Sequence, residues 1–301
     1  ITIASRESPL AMWQAEHIES KIKQLYPDIK INIKGFKTQG DILLNQSLAT
    51  IGGKGLFIKE LEQALLAKKA DLAVHSMKDL PMDIPDDFKL IAITKRGDPR
   101  DAFVSNNFNS LDDMPKGSTV GTSSLRRQSQ IKAKYPDLII EPLRGNLQTR
   151  LKKLDEAQYS AIILAAAGLI RLGLKDRIKE YLDTAISIPA VGQGALGIEI
   201  LAGNEELNKM LAKLNDEDTA SCVLAERLVS RSLAGSCTVP LGAYASIFND
   251  DFIIKGFVAS PDGTQIIYAE KKGNKSDFYK LGKGLSQILI DKGAKDILSS
   301  S

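Results

Sequence analysis

Apolar and polar positions along this chain switch repeatedly between a period of two and a period near 3.6, and the switches mark out its elements. Residues 1–4 read as a short strand. Ser8 and Pro9 then open a helix from Leu10 to about Tyr26, with Ser8 as N-cap and Pro9 at the first helical position. Residues 29–36 alternate as a strand, 55–69 read as a helix, and 70–75 and 89–94 as strands. After the breaker-rich 95–100 the same grammar restarts: strand at 119–121, helix at 124–135, strand at 138–142, helix at 146–157, buried strand at 161–166. Repeated β-α-β order predicts mostly parallel sheets with helices on both faces. A second crossing, 187–194, leads into a strand at 196–200, so two crossings join two α/β lobes. From about Asp216 the pattern becomes a helix, three alternating strands (244–248, 252–259, 265–270) and a helix from about Ser276 to Asp291.

The expected architecture is therefore a first α/β lobe over 1–95, completed by 190–215, a second over 100–188, and a small α+β domain over 217–301. Two lobes hinged by paired crossings form a clamp of the periplasmic-binding-protein kind, with a ligand in the cleft at the C-terminal ends of the strands.

Composition narrows the chemistry. The 301 residues carry 40 basic and 37 acidic side chains, a net charge of +3. That balance argues against a nucleic-acid or anionic-membrane partner. No apolar run reaches the ~18 residues a spanning helix needs. Two cysteines cannot make a disulfide framework, so a reducing compartment, the cytoplasm, is expected. The chain starts at Ile1, which leaves open an organellar targeting segment removed before it. Two distant histidines and no CxxC give no metal-ligand pattern, and 52–55 is no Walker loop because no Ser or Thr follows Lys54.

Three features point to chemistry. Cys222 lies on an apolar helix stripe and reads as a small core hydrophobe. Cys237 lies instead in Gly235-Ser236-Cys237-Thr238-Val239-Pro240, a loop that presents a thiol. Arginines recur where strands hand over to helices: Arg6 beside Ser8, Arg126 and Arg127 after Thr122 and Ser124, Arg144 and Arg150 around Gly145, and Arg171 after the strand through Ala166. Free N–H groups at helix starts together with guanidinium forks suit carboxylates or phosphates. Lys78 and Asp79 end the strand that begins at Ala70, at the same cleft mouth.

These residues stand in motifs that together resemble the porphobilinogen deaminase (hydroxymethylbilane synthase) family along nearly the whole chain. They are 5–11, Thr38-Gln39-Gly40-Asp41, Gly52-Gly53-Lys54-Gly55, 74–81, 121–127, Arg144-Gly145-Asn146, 191–197 and the Cys237 loop. The resemblance implies a transferase of tetrapyrrole and heme biosynthesis. It condenses four porphobilinogen molecules head to tail, with loss of ammonia, on a dipyrromethane cofactor, and releases linear hydroxymethylbilane. It implies a thioether from the cofactor to Cys237 and a catalytic carboxylate at Asp79. Cofactor contacts fall on Lys78, Ser124, Arg126, Arg127, Arg144 and Gly145. Substrate contacts fall on Arg6, Ser8, Lys54, Thr122, Arg144, Arg150, Arg171 and Gln193. A monomer is expected. Departures are small: Ser236 stands where many members have Gly, Thr238 where Gln or Ser is common, and Thr50 where some carry Lys.

A carboxylate-binding module of the same two-lobed build is the rival reading, but it gives no reason for Cys237 or Asp79. The stretch 42–53, apolar and ending in paired glycines, is expected to act as a mobile lid over the cleft.

Overall fold

The computed structural model describes residues 1–42, 55, 57–233 and 239–299. The first lobe is built on strands β1 (Thr2–Arg6), β2 (Asn32–Phe36), β3 (Leu72–Ser76), β4 (Phe88–Ile93) and β10 (Leu196–Leu201), in the order β2-β1-β3-β10-β4. The second holds β5 (Asp101–Val104), β6 (Thr119–Gly121), β7 (Ile139–Glu141), β8 (Ala161–Ala165) and β9 (Glu180–Leu182), in the order β7-β6-β8-β5-β9. Pairings β1–β2, β1–β3, β6–β7 and β6–β8 are parallel. β10 runs antiparallel to both β3 and β4, and β5 to both β8 and β9. Each sheet therefore has four strands pointing one way and a single reversed strand. The reversed strand is in each case the one that enters the lobe directly from a crossing.

The local chemistry of the first lobe follows its sequence. Helix α1 (Pro9–Leu25) starts on Ser8, whose Oγ accepts from the Ala11 N–H at 3.4 Å, and its buried Gln14, Ala15, Ile18 and Ile22 share one face. Ile18 and Ile22 are wholly buried, worth about 1.5–3 kcal/mol each against exposure. β3 is buried along its first four residues, as a strand covered on both faces must be. Helix α2 (Gln39–Ile42) follows β2, and α3 (Lys59–Leu66) covers Ala4, Ala73 and Phe88 with Leu61, Ala64 and Leu65. The expected helix from Gly55 begins only at Lys59.

In the second lobe α4 (Leu125–Lys134), α5 (Leu147–Asp155) and α6 (Ala166–Arg171) follow β6, β7 and β8. The run 161–171 changes from strand to helix between Ala165 and Ala166 with no breaker. Arg171 consequently closes a helix and does not follow a strand directly, which corrects the expectation above. The two crossings lie side by side: the Thr94 N–H donates to the Leu196 carbonyl (2.9 Å), and the Gly97 N–H to the Gly194 carbonyl (3.1 Å).

Helices α7 (Glu205–Leu211) and α8 (Glu217–Ser232) lead to the antiparallel sheet β11 (Leu241–Phe248), β12 (Asp251–Ala259) and β13 (Ile266–Asn274). Helices α9 (Phe278–Asp291) and α10 (Ala294–Ser299) complete this unit. Its core joins Cys222, Val229, Phe252, Ile254 and Leu285. At Gly282 a Cβ would lie 2.9 Å from the Ala225 carbonyl, so glycine lets α9 press onto α8. Among the described residues no helix is long and apolar enough to cross a membrane.

Candidate active site

The first lobe contributes the ends of β1 and β3. Arg6 and Ser8 border a pocket that also meets Gln14, Phe57, His75 and Asp79. Asp79 is placed by a turn in which its N–H donates to the Ser76 carbonyl (2.9 Å), while the Met77 N–H bonds the Ala195 carbonyl (3.0 Å). Gly192, at φ +70°, is packed so closely on this turn that a Cβ would stand 2.7 Å from the Met77 Cβ. The second crossing thus fixes where Lys78 and Asp79 emerge. Asp79 is exposed, and among the described residues no side-chain hydrogen bond or ion pair engages it. Beneath it, His75 Nε2 meets Glu199 Oε2 at 3.0 Å in full burial.

The second lobe supplies the cations. Gly145, at φ +116°, turns the chain after β7, and Asn146 caps α5 by accepting the Thr149 N–H (2.9 Å). Arg150 then folds back, its Nε donating to the Gly145 carbonyl (2.8 Å), with Arg144 beside it on the same turn. Arg171 donates Nη2 to the Gly194 carbonyl (2.6 Å) and lies over the Trp13 ring at 5.7 Å. Arg144, Arg150, Arg171 and Lys78 are half-buried.

These groups feel one another across the cleft. Burial lowers the Lys78 ammonium to about 8; Asp79 opposes that and Arg127 adds to it. Arg150 is lowered to about 10, first by burial and then by Arg127, with Asp79 pulling the other way and Arg144 adding to the fall. Burial brings Arg171 to about 10. The cleft is a crowded, half-buried cationic wall with the unengaged Asp79 carboxylate at its mouth. Such a wall attracts ligands bearing several carboxylates, and the carboxylate can face positive charge that develops in them.

Arg126 and Arg127 stand in the first turn of α4, after β6, where the sequence placed them. Both are buried, turned in on Asp101, itself fully buried. Arg126 donates Nη1 to Asp101 Oδ2 (2.8 Å), Nη2 to Oδ1 (3.0 Å) and Nη1 to the Ile188 carbonyl (2.7 Å). Arg127 donates Nε to Asp101 Oδ1 (2.9 Å) and Nη1 to the Ile163 carbonyl (3.0 Å). Ser187 Oγ (2.7 Å) and Gln193 Nε2 (3.0 Å) complete the shell of Asp101, and Gln193 Nε2 also bonds the Pro99 carbonyl (2.7 Å). Thr122 is buried as well, its Oγ1 accepting from the Ser124 N–H (3.2 Å). Asp101 was missed by sequence reasoning. Its signal was an acid heading the apolar run 102–104 directly after a crossing. Lys54, Cys237 and the expected lid beyond Ile42 lie outside the described residues.

Fold and site together define a two-lobed α/β enzyme with arginines of both lobes around its cleft and a third domain packed on it. Residues 1–209 match the family model "Porphobilinogen deaminase, dipyromethane cofactor binding domain", and 220–291 match "Porphobilinogen deaminase, C-terminal domain". The chain is 58% identical over 300 residues to porphobilinogen deaminase of Thiobacillus denitrificans, covering 100% of this chain and 98% of that one. It is 58% identical over 300 residues to that of Methylobacillus flagellatus, covering 100% and 97%. Among solved structures it is loosely similar to a periplasmic substrate-binding protein of an ABC transporter from Coxiella burnetii, at 10% identity and a TM-score of 0.44, covering 73% of this chain and 94% of that one. The chain belongs to the porphobilinogen deaminase family and is a transferase.

Proposed function

We propose that the cleft between Asp79 and the arginine turns is where this chain carries out its family's reaction. The chain condenses four porphobilinogen molecules head to tail on a dipyrromethane cofactor and releases linear hydroxymethylbilane, a step of tetrapyrrole and heme biosynthesis. The cofactor supplies, when bound, the first pyrrole carbon that accepts a substrate unit. A group carrying acetate and propionate arms fits a wall made of Lys78, Arg144 and Arg150. Cys237 is its thioether anchor in this reading, and Cys222, buried in the third core with its thiol pushed up to about 12, is not.

Asp79 is the catalytic residue. As porphobilinogen loses ammonia, its methylene and ring nitrogen share a positive charge. The Asp79 carboxylate offsets that charge and accepts the ring proton in turn. Arg6, Arg150 and Arg171 hold the carboxylate arms of incoming units, with Ser8 beside Arg6; Lys54 is given the same role by the family resemblance alone. Arg126, Arg127, Thr122 and Gln193, turned inward, shape the wall and lend it charge; Ser124 and Gly145 set the starts of the helices behind it. A monomer is expected from the family resemblance, and two cysteines suit the cytoplasm.

The observation that carries this reading is the unengaged carboxylate of Asp79 facing cations from both lobes. Asp79→Asn keeps size and removes charge. Turnover of porphobilinogen should fall by at least ~10²-fold while fold and cofactor loading persist. Near wild-type turnover in this variant refutes the role.

A further inference from the structure

Arg6 stands at the end of β1 on the rim of the pocket that also meets Asp79, yet it is already engaged. Its Nε donates to Asp41 Oδ2 at 3.1 Å and its Nη2 to Asp41 Oδ1. The Phe57 ring lies 4.2 Å from its Cζ. Asp41 is itself fixed by the hydroxyl of the buried Thr38 (2.7 Å) and by the Thr38 N–H (3.4 Å). Burial alone would raise the Asp41 carboxyl, but hydrogen bonds from Arg6 and Thr38 hold it below the usual range, so it stays ionised at neutral pH. Phe57 in turn needs Gly40: a Cβ there would fall 2.2 Å from its ring.

A guanidinium has five N–H donors in a rigid fork. Asp41 takes the Nε–Nη2 edge, leaving one Nη2 and two Nη1 hydrogens. Those form the end of the fork, which matches a carboxylate bidentately. The ring holds the plane and the carboxylate holds the rotation. We propose that Asp41 is a positioning residue for the Arg6 subsite: it pins one edge of the guanidinium so that a substrate carboxylate is met end-on by the Nη1–Nη2 edge. The proposal rests on the reading of Arg6 as a substrate contact.

The test is steady-state kinetics of the cofactor-loaded enzyme with porphobilinogen for Asp41→Asn, Arg6→Lys and the double variant. Asparagine keeps one acceptor and the side-chain shape, and a melting curve checks that the fold is kept. Asp41→Asn should raise KM roughly tenfold, the worth of one charge-assisted hydrogen bond, with kcat within about twofold. Arg6→Lys should raise KM as well, and the double variant should be no worse than Arg6→Lys alone, because both changes remove one interaction. A raised KM in Arg6→Lys beside an unchanged KM in Asp41→Asn overturns the role of Asp41 alone. Additive effects in the double variant overturn it too. An unchanged KM in Arg6→Lys withdraws the substrate role of Arg6 and the proposal with it.

Discussion

Replacing Asp101 by asparagine removes the charge on which two buried guanidinium groups depend. Asp101 has no exposed surface and accepts from Arg126, Arg127, Ser187 and Gln193. An asparagine keeps one acceptor oxygen and turns an NH₂ toward groups that are themselves donors. Breaking a buried ion pair from one side costs about 3–5 kcal/mol, because the partner's charge stays buried and unpaired. Here two cations are left, so the upper part of that range is expected, a fall in melting temperature on the order of 10 °C. Burial alone would raise the Asp101 carboxyl, but Arg126 and Arg127 override it and hold it far below the usual carboxylate range. A depressed folded-state value means stabilisation that is full above the unfolded pKa of about 4 and fades as pH falls below it. The gap between wild type and Asp101→Asn should therefore be constant from about pH 8 to 5 and narrow below about 4. Urea unfolding followed by the fluorescence of Trp13, the one tryptophan of the chain, measures it. A loss under about 1 kcal/mol, or a gap unchanged into acid, refutes Asp101 as the charge that holds the second crossing to α4.

Lys78 should titrate near 8 when its Nζ is followed by NMR, and Asp79→Asn should move that midpoint down, since Asp79 favours the charged form; a midpoint above 10 contradicts the burial argument. Because the folded value lies below the ordinary one, the ammonium destabilises the fold at neutral pH. Lys78→Met should gain stability there, a gain that fades as pH rises from about 8 toward 10. Glu226 pairs with Arg96 (2.6 and 3.0 Å) and also accepts from the Gly192 and Ala245 N–H groups (2.7 and 2.8 Å). Glu226→Gln should cost about 3–5 kcal/mol in urea and speed limited proteolysis between the third unit and the lobes, whereas unchanged digestion would deny the pair that tie.

Much of the fold was legible where one period governed a long stretch and a cap closed it. Ser8-Pro9 opening α1 and the covered run of β3 are such cases. Short elements escaped. β5 has four residues and begins with a charged one, and β9 has three, too few for any period to declare itself. The change from β8 to α6 falls inside an alanine-rich run with no breaker, which is why Arg171 was assigned to a turn. Strand direction was legible in the majority but not at β5 and β10, whose reversal follows from their place beside the crossings. At the site, the arginines were visible as residues at strand–helix turns. How two of them are held was not, because that depends on an acid 25 residues before Arg126 that pairs with both Arg126 and Arg127.

The account turns on one covalent bond, and mass spectrometry of the purified protein addresses it directly. Intact mass should exceed that of the 301-residue chain by one dipyrromethane. Proteolytic mapping should place the increment on the peptide holding Cys237 and leave the Cys222 peptide unmodified. Cys237→Ala should fold, lose the increment and lose turnover. An increment on Cys222, or an active enzyme with no covalent pyrrole at all, would contradict the assignment of the cleft and its third domain.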